Sequence, residues 1–178
     1  MSRLTPPVGP NDHIRGNPSA LVTLVEYGDY ECPFCGAAHD TLLEVLRRTS
    51  DRARFVFRDF PIAEIHPHAL LAAQTAEAAG AQGKFWPMHD MLFENQDALA
   101  PDDLLRYADM LDLDVLRVTR ELETGVHLDK VRAHFRSGVR SGVNGTPTFF
   151  IDDFRFDAAP DVETLTAALM LAARSKAG

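Results

Sequence analysis

Cysteine is nearly absent from this 178-residue chain: there are two, three positions apart, at Cys32 and Cys35. A secreted domain stapled by disulfides carries more, so the pair is not a structural framework. A basic surplus is missing too. Eighteen Lys and Arg against 26 Asp and Glu give a formal net charge of −8. A nucleic-acid binder needs a basic face to displace counterions from phosphates, so no nucleic-acid partner is expected. No apolar run approaches the roughly 18–20 residues that cross a bilayer, and no membrane insertion is expected. The opening Met1-Ser2-Arg3-Leu4-Thr5-Pro6-Pro7 lacks the apolar segment of a secretory signal. A cytoplasmic location is therefore expected, or a periplasmic or other extracytoplasmic one if a leader was removed. Phosphate loop, nucleophile elbow and dinucleotide fingerprint are also missing.

Apolar residues, at 46% of the chain, suffice for a core. Residues 1–19, rich in Pro, Gly, Asn and Ser, read as an irregular arm with a short edge strand near His13-Ile14. Leu21–Tyr27 reads as a buried strand that Gly28 and Asp29 break. From Pro33 the period changes, with Phe34, Ala38, Leu42, Val45 and Leu46 on one helical face. A second strand follows at Arg54–Phe60, closing a βαβ unit. From Ile62 to Thr124 only helices are predicted, over Ala69–Ala79, Trp86–Phe93, Leu104–Leu111 and Asp114–Glu123. Leu128–Val139 is a last amphipathic helix of this run. Thr148–Ile151 and Phe154–Phe156 make a hairpin around Asp152-Asp153, and Val162–Ala173 closes as a helix. The chain thus divides into an arm (1–19), an α/β part (20–61 and 125–178) and an all-helical insertion (62–124).

Cys32 and Cys35 straddle a strand-to-helix junction, with Pro33 suited to the first helical position. Residues three apart share a helix face, so the sulfurs can close a disulfide. Cys32 then sits at the positive end of the helix dipole, where unpaired amides stabilise a thiolate. Two other readings exist. The pair could be half a zinc site with His39 as a third ligand, but no second cluster completes four ligands, so no metal is expected. Inert core cysteines are the other, and a helix N-terminus is where thiols are activated. Redox chemistry is favoured.

Three stretches together resemble the DsbA-like branch of the thioredoxin superfamily: Val25-Glu26-Tyr27-Gly28-Asp29-Tyr30-Glu31-Cys32-Pro33-Phe34-Cys35, Gln82-Gly83-Lys84-Phe85-Trp86-Pro87-Met88-His89, and Gly142-Val143-Asn144-Gly145-Thr146-Pro147-Thr148-Phe149-Phe150. The resemblance covers about residues 12–174 and implies a thioredoxin fold (βαβ … ββα) interrupted by an all-helical insertion. It implies that Cys32 is the exposed nucleophile and Cys35 the resolving thiol. It implies that Thr146-Pro147 is a cis-proline loop whose backbone, through Thr146, receives substrate as an added strand; otherwise Pro147 merely begins the strand. Glu26, six residues before Cys32, matches a buried acid that assists proton transfer at the second cysteine. Burial would raise its pKa; the alternative is a strand-end glutamate in water. Pro33 and Phe34 would contact substrate. Strongly oxidising relatives carry His where Phe34 stands, and Asp29 and Glu31 add negative charge. The Cys32 pKa is therefore expected to be pushed upward and the couple to be less oxidising.

The function implied is thiol–disulfide exchange with protein or peptide thiols and disulfides. It needs no bound cofactor and draws on a separate redox-recycling partner of the thioredoxin or glutathione type. Alternatives are a relative of kappa-class glutathione transferases, against which Cys35 argues, and a non-enzymatic module binding a client or a metal. His66, His68 and His89 are expected to cap or pack, the alternative being that they line the substrate groove. Phe85, Trp86, Met88, Met91 and Leu92 are expected to form insertion core, with a share of them lining a substrate groove instead.

Overall fold

The computed structural model describes residues 2–177. Strands β1 (His13–Arg15), β2 (Val22–Gly28), β3 (Ala53–Asp59), β4 (Thr148–Ile151) and β5 (Phe154–Phe156) form one sheet in the order β1-β3-β2-β4-β5. β2 and β3 are parallel, with Glu26 opposite Phe57, and helix α1 (Pro33–Thr49) makes the crossover between them. β4 pairs antiparallel on the other side of β2, with Glu26 opposite Phe149. All seven residues of β2 are buried, as befits a central strand covered on both faces.

Strand alternation decides what each side chain meets. Leu24, Phe55, Phe57 and Phe149 enter the main core, shared with α1, the C-terminal helix and the helices that follow β3. Val25, Tyr27, Val56 and Phe150 point the other way, into a smaller cluster with Leu4, Phe60 and Phe135. Glu26 falls on the Leu24 side. The sheet therefore aims a carboxyl into the apolar core, beneath the start of α1.

Helices α2 (Ala69–Gly80), α3 (Phe85–Glu94), α4 (Pro101–Met110), α5 (Val115–Thr124) and α6 (Leu128–Arg140) lie between β3 and β4, and α7 (Val162–Ala177) follows β5. α2 buries Ala69, Ala72, Ala73, Ala76, Ala78 and Ala79, small side chains that let neighbours close in on nearly every side. α4 begins at Pro101, with Asp102 and Asp103 in its first turn. The Asp114 carboxylate caps α5 by accepting from the Arg117 amide at 2.9 Å, and Gly125, at φ 66, ends it.

Two local expectations change. Phe34 is 72% exposed; the buried stripe of α1 is Cys35, Ala38, His39, Leu42, Val45 and Thr49. Phe34 shares that azimuth, about 40° round the helix from Ala38, but as the second residue of α1 it stands at the open end of the stripe. The N-terminal arm, expected to be irregular, is tied down at several points. Leu4 is buried, its amide donating to the Asp153 carbonyl at 2.8 Å. The buried Arg58 guanidinium donates to Asp12 at 2.8 and 2.9 Å and to the Pro6 carbonyl at 2.9 Å.

At the β4–β5 turn Asp152 takes a left-handed φ of 52, which a short polar side chain tolerates. Its carboxylate accepts from the Thr23 amide at 3.0 Å, fastening the turn to β2.

Candidate active site

Cys32 is the N-cap of α1 and Pro33 its first residue. The chain folds this way because proline carries no amide that the first turn would have to satisfy. The Cys32 carbonyl accepts from the Cys35 and Gly36 amides at 3.1 Å each. The two cysteines approach to 3.9 Å with both thiols free.

The environments of the two sulfurs differ sharply. The Cys32 thiol is lowered to about 5, chiefly by the hydrogen bond from Cys35, then by Thr146 and by the backbone amides of Cys35 and Phe34. The Thr146 hydroxyl is buried and has no hydrogen-bond partner. Burial pushes the Cys35 thiol well above its ordinary value, and its bond to Cys32 and the charge of Glu26 push the same way. Glu26 is 1% exposed with Oε1 unpartnered. Burial, with the Cys32 charge adding to it, pushes its pKa up to about 8.

The upward shift expected for Cys32 is thus reversed, and the reason is local. Asp29 accepts from the Glu31 amide at 2.8 Å, the Ile62 amide at 2.7 Å and His66 Nδ1 at 2.8 Å. Glu31 accepts from the His68 amide at 2.7 Å and from His68 Nδ1 at 2.8 Å. Both carboxylates are occupied by donors from the β3–α2 loop, while amides and hydroxyl surround the sulfur. His66 and His68 hold acids, and His89 packs: it is 1% exposed, edge-on to Phe57 at 4.6 Å between centroids.

A second correction concerns access. Cys32 is only 4% exposed, against 0% for Cys35. Its Sγ lies 3.4 Å from the Thr146 carbonyl. The Thr146–Pro147 peptide is cis, and the loop closes through a Thr148 hydroxyl bond to the Gly145 carbonyl at 2.7 Å. Pro33 and Phe34 are exposed beside it. A cleft of about 450 Å³ opens next to Pro33, walled by Glu31, His68, Gln96, Asp97 and Leu99.

Gln96 is the member that no sequence signal marked. From the loop between α3 and α4 its Nε2 donates to the Tyr30 carbonyl at 2.9 Å and to the Cys32 carbonyl at 2.8 Å. A Cβ at Gly36 would collide with its carboxamide. Phe85, Met88 and Leu92 are core, as expected; Trp86 and Met91 are partly buried against it. Among the described residues, His39 groups with His89 and Asp90, and not with the cysteines.

The thioredoxin family matches residues 9–170. Among curated proteins, the Na(+)/H(+) antiporter NhaA 3 of Salinispora tropica is 44% identical over 167 residues, 93% of this chain and 26% of the relative. The chain spans about a quarter of the length of the curated relatives it matches. Among solved structures, oxidised BdbD from Bacillus subtilis has a TM-score of 0.85 at 21% identity, covering 94% of this chain and 96% of that one. A thioredoxin-like oxidoreductase from Silicibacter pomeroyi DSS-3 has a TM-score of 0.77 at 29% identity, covering 93% and 94%. The chain belongs to the thioredoxin family and has the fold of its DsbA-like members.

Proposed function

We propose that this chain exchanges disulfides with protein or peptide substrates, with Cys32 as nucleophile and Cys35 as resolving thiol. The observation that carries the reading is the asymmetry of the pair: one thiol is held near 5 and the other well above 9, at one helix start. In the oxidising direction a substrate thiolate attacks Cys32 Sγ and the Cys32–Cys35 bond breaks. Its electron pair leaves on Cys35, which takes a proton from Glu26. A second substrate thiolate then attacks the substrate sulfur of the mixed disulfide and releases Cys32 as thiolate. The substrate loses two electrons and the pair gains them; a separate partner takes them up.

A low Cys32 pKa stabilises the reduced pair relative to the disulfide, by about 1.4 kcal/mol per unit. We therefore read the couple as more oxidising than the charges at Asp29 and Glu31 alone suggest. Phe34, Pro33 and the Thr146–Pro147 loop form the proposed substrate ledge. The thioredoxin-like part (20–61 and 125–178) supplies the thiols, and the insertion (62–124) supplies one wall of the cleft through Gln96 and Asp97. Among the described residues no helix is long and apolar enough to cross a membrane. Ion transport, named for the much longer relatives, is not proposed for this segment.

The test is a redox titration in glutathione buffers with the Cys35→Ser variant alongside. Reversible interconversion of dithiol and disulfide, and mixed disulfides trapped through Cys32, are the expected results. A pair that does not interconvert removes the reading.

A further inference from the structure

We propose a second, sulfur-free site: His39, His89 and Asp90 form a three-ligand pocket for a divalent transition-metal ion of the zinc class, between α1 and α3. The ligand atoms of the three lie within 4.8 Å of one another. His39 Nε2 and Asp90 Oδ1 face each other at 3.6 Å, and neither has a hydrogen-bond partner. That separation is too long for a hydrogen bond. It suits two ligands on one tetrahedral ion, whose bonds of about 2.1 Å place neighbouring ligands about 3.4 Å apart.

Burial makes the vacant polar atoms informative. His39 is 5% exposed, its Nε2 and the facing Asp90 Oδ1 are both buried, and buried polar atoms without partners are uncommon. Outer contacts already orient the ligands as metal sites require. The other Asp90 oxygen accepts from Arg15 at 2.6 Å, and His89 Nδ1 meets the Tyr30 hydroxyl at 3.1 Å. The Asp90 side chain is 32% exposed, while the Oδ1 that faces His39 is buried. Two nitrogens and one carboxylate oxygen suit zinc or a neighbouring first-row ion better than calcium or magnesium.

A rival cluster, Asp59, Glu77 and His134, is also compact. There His134 Nδ1 is already hydrogen-bonded to Asp59 Oδ2 at 3.0 Å, so the ligand atoms satisfy one another. Each cluster has a cation on one carboxylate, Lys130 on Glu77 and Arg15 on Asp90, but His39 Nε2 and Asp90 Oδ1 are both left unpartnered.

The test uses the full chain with Cys32→Ser and Cys35→Ser, so that no thiol competes for metal. Co2+ is titrated and followed by its visible d–d bands; Zn2+ affinity is read by competition with a chromophoric chelator. One equivalent of tetrahedral Co2+ is expected, with at least a tenfold loss of Zn2+ affinity in Asp90→Asn and a larger loss in His39→Gln. Should His39→Gln not fold, Asp90→Asn decides, since that side chain is part-exposed and the change nearly isosteric. The proposal is overturned if no metal is taken up. It is equally overturned if Asp90→Asn binds like its parent, or if Glu77→Gln removes the site while Asp90→Asn keeps it. Because the cysteines are gone, failure here leaves the disulfide reading untouched.

Discussion

At the scale of single residues, the chemistry turns on three protons: those of Cys32, Cys35 and Glu26. In the reduced folded protein Cys32 titrates near 5, while an unfolded chain has it at about 8.5. A group whose folded pKa is depressed stabilises the fold fully above the unfolded value and loses that contribution as pH falls through the folded one. Reduced protein is therefore expected to be most stable relative to oxidised protein near about pH 8.5, since above it the raised Cys35 thiol withdraws stability. The gap should shrink toward pH 5, as paired thermal melts will report. Iodoacetamide should label Cys32 with a rate that rises around pH 5; a midpoint near 9 would contradict the assignment. Glu26 runs the other way. With its folded pKa at about 8, the native state holds a proton that the unfolded state releases, so stability declines as pH climbs from about 4.3 toward 8. Glu26→Gln should be more stable than the parent at pH 7 by on the order of 2 kcal/mol, while slowing resolution of the mixed disulfide. Urea curves and single-turnover kinetics measure the two effects separately. Cys32 and Cys35 were legible from their spacing at a helix start, and Glu26 from the resemblance to DsbA-like proteins. The sign of the Cys32 shift was not, because Asp29 and Glu31 meet His66 and His68 only through contacts 37 positions apart in the chain.

At the scale of elements, α1 is held from two directions. Its N-terminus receives Gln96 from the α3–α4 loop, and its buried stripe packs into the main core. Gln96→Leu removes two hydrogen bonds to buried carbonyls and should cost about 1–3 kcal/mol in urea unfolding. Gly36→Ala should be costly only while the carboxamide is there. In a Gln96→Ala background the same substitution should cost less, and the double-mutant cycle measures that coupling. Strand and helix positions were readable because periods of 2 and 3.6 leave a mark in apolar spacing. Phe34 is in phase with Ala38, Leu42 and Val45 but stands in the first turn of α1, and a period carries no information about where the cover of a helix ends. Gln96 leaves no periodic mark at all: it is one glutamine in a polar loop, and its role exists only once the loop is folded against Tyr30 and Cys32.

At the scale of the whole molecule, the sheet separates two cores of unequal size, and the N-terminal arm closes the smaller one. Arg58 is 3% exposed and depends on Asp12 for its counter-charge. Asp12→Ala should destabilise the protein by about 3–5 kcal/mol, the cost of a buried guanidinium left without its carboxylate. Chemical denaturation at pH 7 checks it. Nothing in the composition of residues 1–19 announced this tether, since Asp12 and Arg58 stand 46 positions apart.

Phe34 stands apart from all of this packing. It adjoins the reacting sulfur, yet 72% of it faces solvent. A position that touches the chemistry and not the fold is free to drift. Substitutions there can accumulate across a lineage with little penalty in melting temperature, each one resetting client preference and potential. A site-saturation library at position 34 should accordingly scatter widely in reduction potential and narrowly in thermal midpoint, so that one scaffold has many redox settings open to it.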